Sequence, residues 1–271
     1  MSLINTEWLE AKIDKVKIID SSWHLPQTKR DGYSEYKNEH IKKSIFFDID
    51  KYSKKNIELP HMLVDKNDWE VIISNIGIKN NDEIVIYDNS DVLSACRCWY
   101  NFIYFGHDPK LVHVLNGGLQ KWKHEKKATT QIIEVIKKSN YLCNENKNLV
   151  KNLAQVKENI ISQSFKIVDA RSRERFEGKV EEPRKGLRSG SIPNSKCLPF
   201  KEIINVNNTF KNEDDIKEIF KENISDIGVT NVVFSCGSGV TACVLALAYS
   251  LINVKYMPTI YDGSWAEFGK N

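Results

Sequence analysis

Short apolar runs alternate with longer amphipathic stretches along the chain. The short runs have the length and the β-branched content of buried strands, and they lie at residues 16–20, 84–88, 166–169 and 232–236. The longer stretches repeat apolar residues at helical spacing, which predicts helices over residues 6–13, 65–76 (with Asp65 as N-cap), 94–105, 149–161, 213–223 and 240–252. This alternation predicts an α/β fold in which helices flank mainly parallel sheets.

The alternating pattern occurs twice. Three pairs of positions match at a nearly constant offset of about 148 residues, namely Asp20 with Asp169, Asp88 with Cys236 and Gly117 with Gly263. A constant offset across separated matches indicates an internal repeat. We therefore predict two tandem domains over residues 1–123 and 149–271, joined by a polar, lysine-rich linker over residues 124–148.

The segment from residue 232 to residue 242 combines a strand, a short glycine-rich turn and a helix, with Cys236 where the strand ends. The N-terminus of a helix offers unpaired N–H groups and a positive dipole end, both of which stabilise negative charge on a sulfur. Glycines let several N–H groups converge as a nest for an anion. A buried structural cysteine is the ordinary alternative, but the position and the glycines favour a reactive sulfur. We expect an anion to contact the loop at Gly237, Gly239, Val240 and Thr241.

In the first half of the repeat, Asp88 stands where the second half has Cys236. An aspartate has no nucleophilic sulfur. We therefore expect the second domain to be catalytic and the first to be inert.

The overall composition is that of an ordinary globular protein, with 41% hydrophobic and 28% charged residues. A net charge of +3 is too small to indicate a nucleic-acid partner. The sequence predicts neither a signal peptide nor a bilayer-spanning segment. Six cysteines without a secretion signal favour a reduced, cytoplasmic protein, and none has metal-ligand spacing. We expect no metal or other cofactor, no nucleic acid and no membrane partner.

The loop Cys236–Ala242, together with residues 169–171 upstream and 261–265 downstream, resembles the tandem-domain rhodanese family. The likeness extends over nearly the whole chain and is greatest to those members that use 3-mercaptopyruvate. Further matching segments are residues 175–176, 182–184 and 186–188 in the second half, and residues 47–50 and 61–63 in the first.

The resemblance implies that Cys236 takes a sulfane sulfur from a small anionic donor, carries it as a persulfide and passes it on. The acceptor would be cyanide or a thiol such as thioredoxin or glutathione, and 3-mercaptopyruvate would leave as pyruvate. Arg175 and Arg184 would hold the carboxylate and carbonyl of the donor. Ser238 would form a relay with His61 and Asp50, both supplied by the first domain.

Composition alone favours a plainer interpretation of the two arginines. They lie among alternating acidic and basic residues between positions 171 and 188, which is typical of a solvated loop of surface ion pairs. Only the resemblance to the family predicts that Arg175 and Arg184 bind the substrate.

One turn departs from the family pattern. The family usually has Gly-His-Ile-Pro-Gly in the second domain, where this chain has Gly190, Ser191, Ile192, Pro193 and Asn194. We expect the change to affect the geometry of the turn more than the chemistry.

Three other functions compete with transfer from 3-mercaptopyruvate. Thiosulfate is a dianion, and enzymes that use it are expected to have cationic side chains in the loop, where Gly237 and Ser238 are neutral. A cysteine phosphatase needs an arginine six positions after the cysteine, where this chain has Ala242. A non-catalytic sulfur carrier would not need the arginines or the relay.

Overall fold

The computed structural model describes residues 2–270, and the chain folds into two compact units. The first unit comprises Met1–Lys54, Leu63–Asn146 and Val206–Thr209, and the second comprises Lys55–Met62, Lys147–Asn205 and Phe210–Asn271. The predicted domain bounds, whose outer limits at residues 1 and 271 lie outside the described residues, stay a prediction. The units differ from them because residues 55–62 pack with the second unit.

Each unit alternates strands and helices. The first contains β1 (Leu3–Ile4), α1 (Thr6–Lys12), β2 (Lys17–Asp20), α2 (Gly32–Asn38), β3 (His40–Ile41), β4 (Ser44–Phe46), α3 (Lys66–Asn75), β5 (Ile84–Tyr87), α4 (Ala95–Tyr104), β6 (Val112–Leu115), α5 (Gly118–His124) and β7 (Thr129–Thr130). The second contains β8 (Val150–Lys151), α6 (Leu153–Ser162), β9 (Lys166–Asp169), α7 (Arg173–Phe176), β10 (Lys196–Cys197), α8 (Glu213–Ile224), β11 (Val232–Ser235), α9 (Ala242–Ile252), β12 (Ile260–Tyr261) and α10 (Ser264–Phe268).

The two five-stranded sheets have the same topology. Their orders are β1-β6-β5-β2-β4 and β8-β12-β11-β9-β10, and every pairing in both is parallel. Equivalent strands therefore occupy equivalent places, with β5 and β11 at the centre. The predicted fold class and internal repeat are confirmed.

Each sheet packs helices through its apolar residues. In the first unit Val85 of β5 packs in one cluster with Trp122 of α5, and in the second Val233 of β11 packs with Trp265 of α10. Both tryptophans are fully buried. The strands before Asp88 and Cys236 are thus fixed by equivalent cores.

Several helix ends differ from the predictions for local reasons. Helix α9 begins at Ala242, two residues late, because residues 239–241 form the turn that follows Cys236. Helix α6 begins at Leu153 because Asn152 and Gln155 form a capping box and residues 150–151 join the sheet as β8. Asp65 precedes α3 without a side-chain cap, since its carboxylate pairs with Lys54 at 3.0 Å.

The predicted linker packs on the first unit over much of its length. Thr129–Thr130 pairs with β3, and the N–H of Ser139 donates to Ser74 O at 2.9 Å. Tyr141 is buried. This segment is therefore part of the first unit's structure. Among the described residues, no helix combines the length and hydrophobicity that a membrane crossing needs.

The turn of the second unit that departs from the family pattern ends at a residue suited to a left-handed backbone. Asn194 has φ +64°, a left-handed conformation that glycine and asparagine tolerate best. Its side-chain amide also donates to Ile160 O at 3.0 Å. The carbonyl of Gly190, at the other end of the turn, accepts from Arg171 at 2.8 Å.

In the first unit, the Asp88 carboxyl occupies the start of α4. It accepts the N–H of Ala95 at 2.6 Å and that of Ser90 at 3.2 Å. The N–H groups that could otherwise hold an external anion are thus used internally. Burial raises the pKa of Asp88 to about 7, although these hydrogen bonds lower it.

Because the folded protein holds this proton more tightly than the unfolded chain, stability falls as the pH rises between the two pKa values. We compare the free energy of unfolding of wild type with that of Asp88→Asn. We predict that the wild-type value falls, relative to that of the variant, by on the order of 3 kcal/mol between about pH 4 and about pH 7. Urea unfolding across this pH range measures the difference. Asp91→Asn is the control, because Asp91 is exposed in the same loop. A difference between wild type and Asp88→Asn that does not vary with pH contradicts the prediction.

Candidate active site

Cys236 directly follows β11 and is 2% exposed. Its N–H donates to Ser264 Oγ at 3.2 Å, and the Ser264 hydroxyl donates to Tyr261 O at 2.8 Å. The backbone of Cys236 is therefore tied to the turn between β12 and α10.

The start of α10 orients the next two peptide groups of the loop. The N–H of Trp265 donates to Cys236 O at 2.9 Å, and that of Ala266 donates to Gly237 O at 2.9 Å. In a trans peptide the C=O and the following N–H point in opposite directions. The N–H groups of Gly237 and Ser238 therefore point away from α10.

These N–H groups belong to a larger set of unused donors. Within residues 2–270, no protein group accepts from the N–H of Gly237, Ser238, Val240 or Thr241. The loop lies between Cys236 and the N-terminus of the eleven-residue helix α9. Unused donors at a helix N-terminus favour an anion, as the sequence predicts.

The two loop glycines are needed for different reasons. Gly239 has φ +77°, which side chains rarely adopt. Gly237 does not have a positive φ, contrary to the expectation that both glycines supply conformational freedom. At position 237 the constraint is space, because a Cβ would lie 3.3 Å from Arg175 Nη2 and 3.7 Å from Arg184 Nη1.

Arg175 and Arg184 therefore both lie against the loop. Arg184 Nη2 also donates to Ser238 Oγ at 3.3 Å. The two guanidinium groups come from different segments, the short helix α7 and the loop that follows it. The structure brings them together at Gly237, while their role as substrate ligands stays a prediction.

His61 lies beside Ser238, with its Nδ1 3.0 Å from Ser238 Oγ. It is 4% exposed, and its φ of +59° is left-handed. Although we expected the first domain to supply it, residues 55–62 belong to the compact unit that contains Cys236. Its neighbours in sequence gave no periodic signal that could have indicated this.

Asp50 belongs to the first unit. It is exposed in the turn after β4, and its Oδ2 accepts the indole N–H of Trp23 at 2.8 Å. Its part in the relay stays a prediction.

Arg175 is the last residue in a series of linked ion pairs. The sequence analysis did not predict this series. Asp169 binds Arg171 through both carboxylate oxygens, with a shortest distance of 2.8 Å. Arg171 Nη1 donates to Glu182 at 2.8 Å, and Glu182 binds Arg175 at 2.5 and 3.2 Å. The alternation of charges over residues 169–184 was the available signal, but it is also typical of exposed loops.

The indole ring of Trp265 packs against one arginine of these ion pairs. The Arg171 guanidinium lies 4.4 Å from its ring centroid and that of Arg188 lies 4.7 Å away. Its indole N–H donates to Arg188 O at 2.9 Å. One residue therefore braces the ion pairs and, through its backbone N–H, the Cys236 carbonyl.

The other cysteines have different surroundings. Burial raises the pKa of Cys143 and of Cys197 to about 12, and that of Cys98 well above its ordinary value. A raised pKa keeps a thiol protonated near neutral pH, and the protonated form is a poor nucleophile. Among residues 2–270 no cluster of three or more His, Cys, Asp or Glu side chains could hold a metal ion.

Comparison with known proteins agrees with this arrangement. Residues 5–125 and 152–271 each match the family model of the rhodanese-like domain. The chain is 36% identical over 290 residues to thiosulfate/3-mercaptopyruvate sulfurtransferase 1, mitochondrial, of Arabidopsis thaliana, covering 98% of this chain and 75% of that one. It is 33% identical over 276 residues to thiosulfate sulfurtransferase of Rattus norvegicus, covering 98% and 91%.

Solved structures give the same result. The crystal structure of SseA from Escherichia coli, described as a 3-mercaptopyruvate sulfotransferase, superposes with a TM-score of 0.87 at 30% identity. The match covers 98% of this chain and all of that one (100%). The resemblance noted from the active loop is confirmed, and the chain belongs to the rhodanese family as a sulfurtransferase with two tandem rhodanese-like domains.

Proposed function

We propose that the enzyme transfers sulfur from 3-mercaptopyruvate, through a persulfide on Cys236, to a thiol or cyanide acceptor. The observation that carries the proposal is the convergence of Arg175 and Arg184 on the neutral Gly237 beside Cys236. An α-keto acid needs cations for its carboxylate and carbonyl, and planar guanidinium groups bind such oxygens in pairs. No cofactor is required for this chemistry.

In the first step the Cys236 thiolate attacks the sulfur of the donor. The new S–S bond forms as the bond between sulfur and C3 of the donor breaks, and the electron pair of that bond becomes the enolate of pyruvate. The persulfide keeps the donor's sulfur and its hydrogen. The unused N–H groups of the loop stabilise the Cys236 thiolate before the transfer, and they stabilise the persulfide once it loses its proton.

The enolate needs one proton to become pyruvate. Ser238 lies two residues after Cys236 in sequence, and His61 Nδ1 lies 3.0 Å from Ser238 Oγ. We propose that Ser238 delivers the proton and that His61 replaces it. Asp50 is proposed to orient His61 within this relay.

In the second step an acceptor thiolate, such as that of thioredoxin or glutathione, attacks the outer sulfur. It leaves with that sulfur as a persulfide and returns Cys236 to its thiolate, while cyanide would leave as thiocyanate. A cytoplasmic location and the lack of nucleic-acid or membrane partners stay predictions, as does the choice of acceptor.

Thiosulfate is the alternative donor, and both of the relatives described above have thiosulfate in their names. It is a dianion without a carbonyl group, for which added cations in the active loop would be favourable. Gly237 and Ser238 supply no charge. We therefore propose thiosulfate as the poorer donor.

The donor prediction is tested by steady-state kinetics with both compounds. We expect kcat/KM for 3-mercaptopyruvate to exceed that for thiosulfate by about tenfold or more, as two matched polar contacts would give. Cys236→Ser should release no pyruvate above background, whereas the control Cys197→Ser should stay active because the raised pKa of Cys197 keeps its thiol protonated. Equal or better use of thiosulfate contradicts the donor assignment.

The relay prediction is tested with His61→Asn, because asparagine tolerates the left-handed backbone of residue 61. We expect kcat for pyruvate formation to fall by about 100-fold, the usual contribution of a positioned proton donor. Ser238→Ala should have a similar effect, and the double variant should be little worse than either single one. Turnover of His61→Asn at the wild-type rate would remove His61 from the mechanism.

A further inference from the structure

The Glu182 carboxylate lies between two arginines in the second unit. Its side chain is 2% exposed, and its oxygens accept from Arg171 Nη1 at 2.8 Å and from Arg175 Nε and Nη2 at 3.2 and 2.5 Å. A buried carboxylate with charge-assisted bonds on two sides has little freedom to move. Glu182 is therefore a fixed support for Arg175.

The bonds to Glu182 decide which side of Arg175 is available to a ligand. A guanidinium can bind a carboxylate through its Nε–Nη2 edge or through its Nη1–Nη2 edge. Glu182 occupies the Nε–Nη2 edge. The other edge remains for a donor, and Nη2 lies 3.3 Å from where a Cβ of residue 237 would be.

Glu182 also changes the charge that a donor meets. Along Asp169, Arg171, Glu182 and Arg175 the charges alternate and cancel. The positive charge of Arg175 is therefore offset by a carboxylate at hydrogen-bond distance, in a low-dielectric site where such an offset is strong. A second negative charge on a donor gains less from Arg175 than it would without Glu182.

We propose that Glu182 is a positioning and specificity-determining residue: it presents one edge of Arg175 to the donor and makes the site favour a singly charged carboxylate over a dianion. The proposal rests on the proposed function, since it takes Arg175 as a donor ligand. Glu182 acts through Arg175 and does not itself contact the donor.

The same short helix α7 contains Arg173, whose ion pair with Glu202 is a matched control. Arg173 binds Glu202 through Nε and Nη2, at 3.1 and 2.8 Å. This pair has the same chemistry, but its side chains are 50% and 40% exposed. Glu202→Gln thus removes a carboxylate from an arginine two residues away from Arg175 without changing the support of Arg175.

The kinetic test compares Glu182→Gln, Glu182→Asp and Glu202→Gln with both donors. In Glu182→Gln we expect KM for 3-mercaptopyruvate to rise about tenfold, with kcat within about threefold of wild type, because a bidentate ion pair is lost. The ratio of kcat/KM for thiosulfate to that for 3-mercaptopyruvate should rise about fivefold or more, because a dianion gains more from the unmasked charge. Glu202→Gln should leave both values unchanged.

Glu182→Asp distinguishes the effect of side-chain length from the effect of charge. It keeps the carboxylate but shortens the side chain, so KM for 3-mercaptopyruvate should rise while the donor ratio stays within about twofold of wild type. If Glu182→Gln does not fold, as judged by its near-ultraviolet circular dichroism, this variant decides the question. An unchanged KM in Glu182→Asp, or an unchanged donor ratio in folded Glu182→Gln, overturns the proposal.

A binding measurement keeps this test independent of turnover. In the Cys236→Ser background, calorimetry with pyruvate and with sulfate compares a singly charged keto acid with a dianion. Glu182→Gln should raise the affinity for sulfate relative to pyruvate, and equal changes for both anions overturn the proposal. If neither sulfur donor is turned over by wild type, the proposed function fails, while this comparison still tests the role of Glu182.

Discussion

Two hydrogen bonds from the start of α10 orient the active loop, and the chemistry of the site depends on them. They hold the carbonyls of Cys236 and Gly237 on one side, so that the N–H groups of Gly237 and Ser238 face the other. A cysteine at a strand end would otherwise be an ordinary buried thiol. With the peptide groups fixed, the N–H groups of the loop and the N-terminus of α9 offer hydrogen-bond donors to an anion.

The internal repeat allows Cys236 to be compared with Asp88, the residue at the equivalent position of the first unit. The first unit has the same sheet order and a strand of the same length before Asp88. There the Asp88 carboxyl accepts a hydrogen bond from the N–H of Ala95, the first residue of the following helix. In the second unit, no protein group within residues 2–270 accepts from the loop N–H groups of Gly237, Ser238, Val240 and Thr241. The two copies therefore share a fold and differ in whether the side chain at this position uses the donors of the loop that follows.

Much of this was predictable from sequence because it depends on local patterns. The strands, the helices and the repeat follow from apolar periodicity, and the active loop follows from a cysteine with glycines between a strand and a helix. Other features depend on contacts across long stretches of chain. His61 and Ser238 are 177 residues apart, and no local pattern predicts that residues 55–62 pack with the second unit. Glu182 and Glu202 look alike in sequence, and only burial distinguishes the support of Arg175 from an exposed ion pair.

A single-turnover experiment measures whether Cys236 carries the sulfur. The enzyme would be mixed with an equal amount of 3-mercaptopyruvate without any acceptor, and pyruvate and the masses of tryptic peptides would be measured. We expect one pyruvate per enzyme and one added sulfur atom on the peptide that contains Cys236, with neither in Cys236→Ser. Pyruvate release without sulfur on Cys236, or added sulfur on another cysteine in its place, would contradict it.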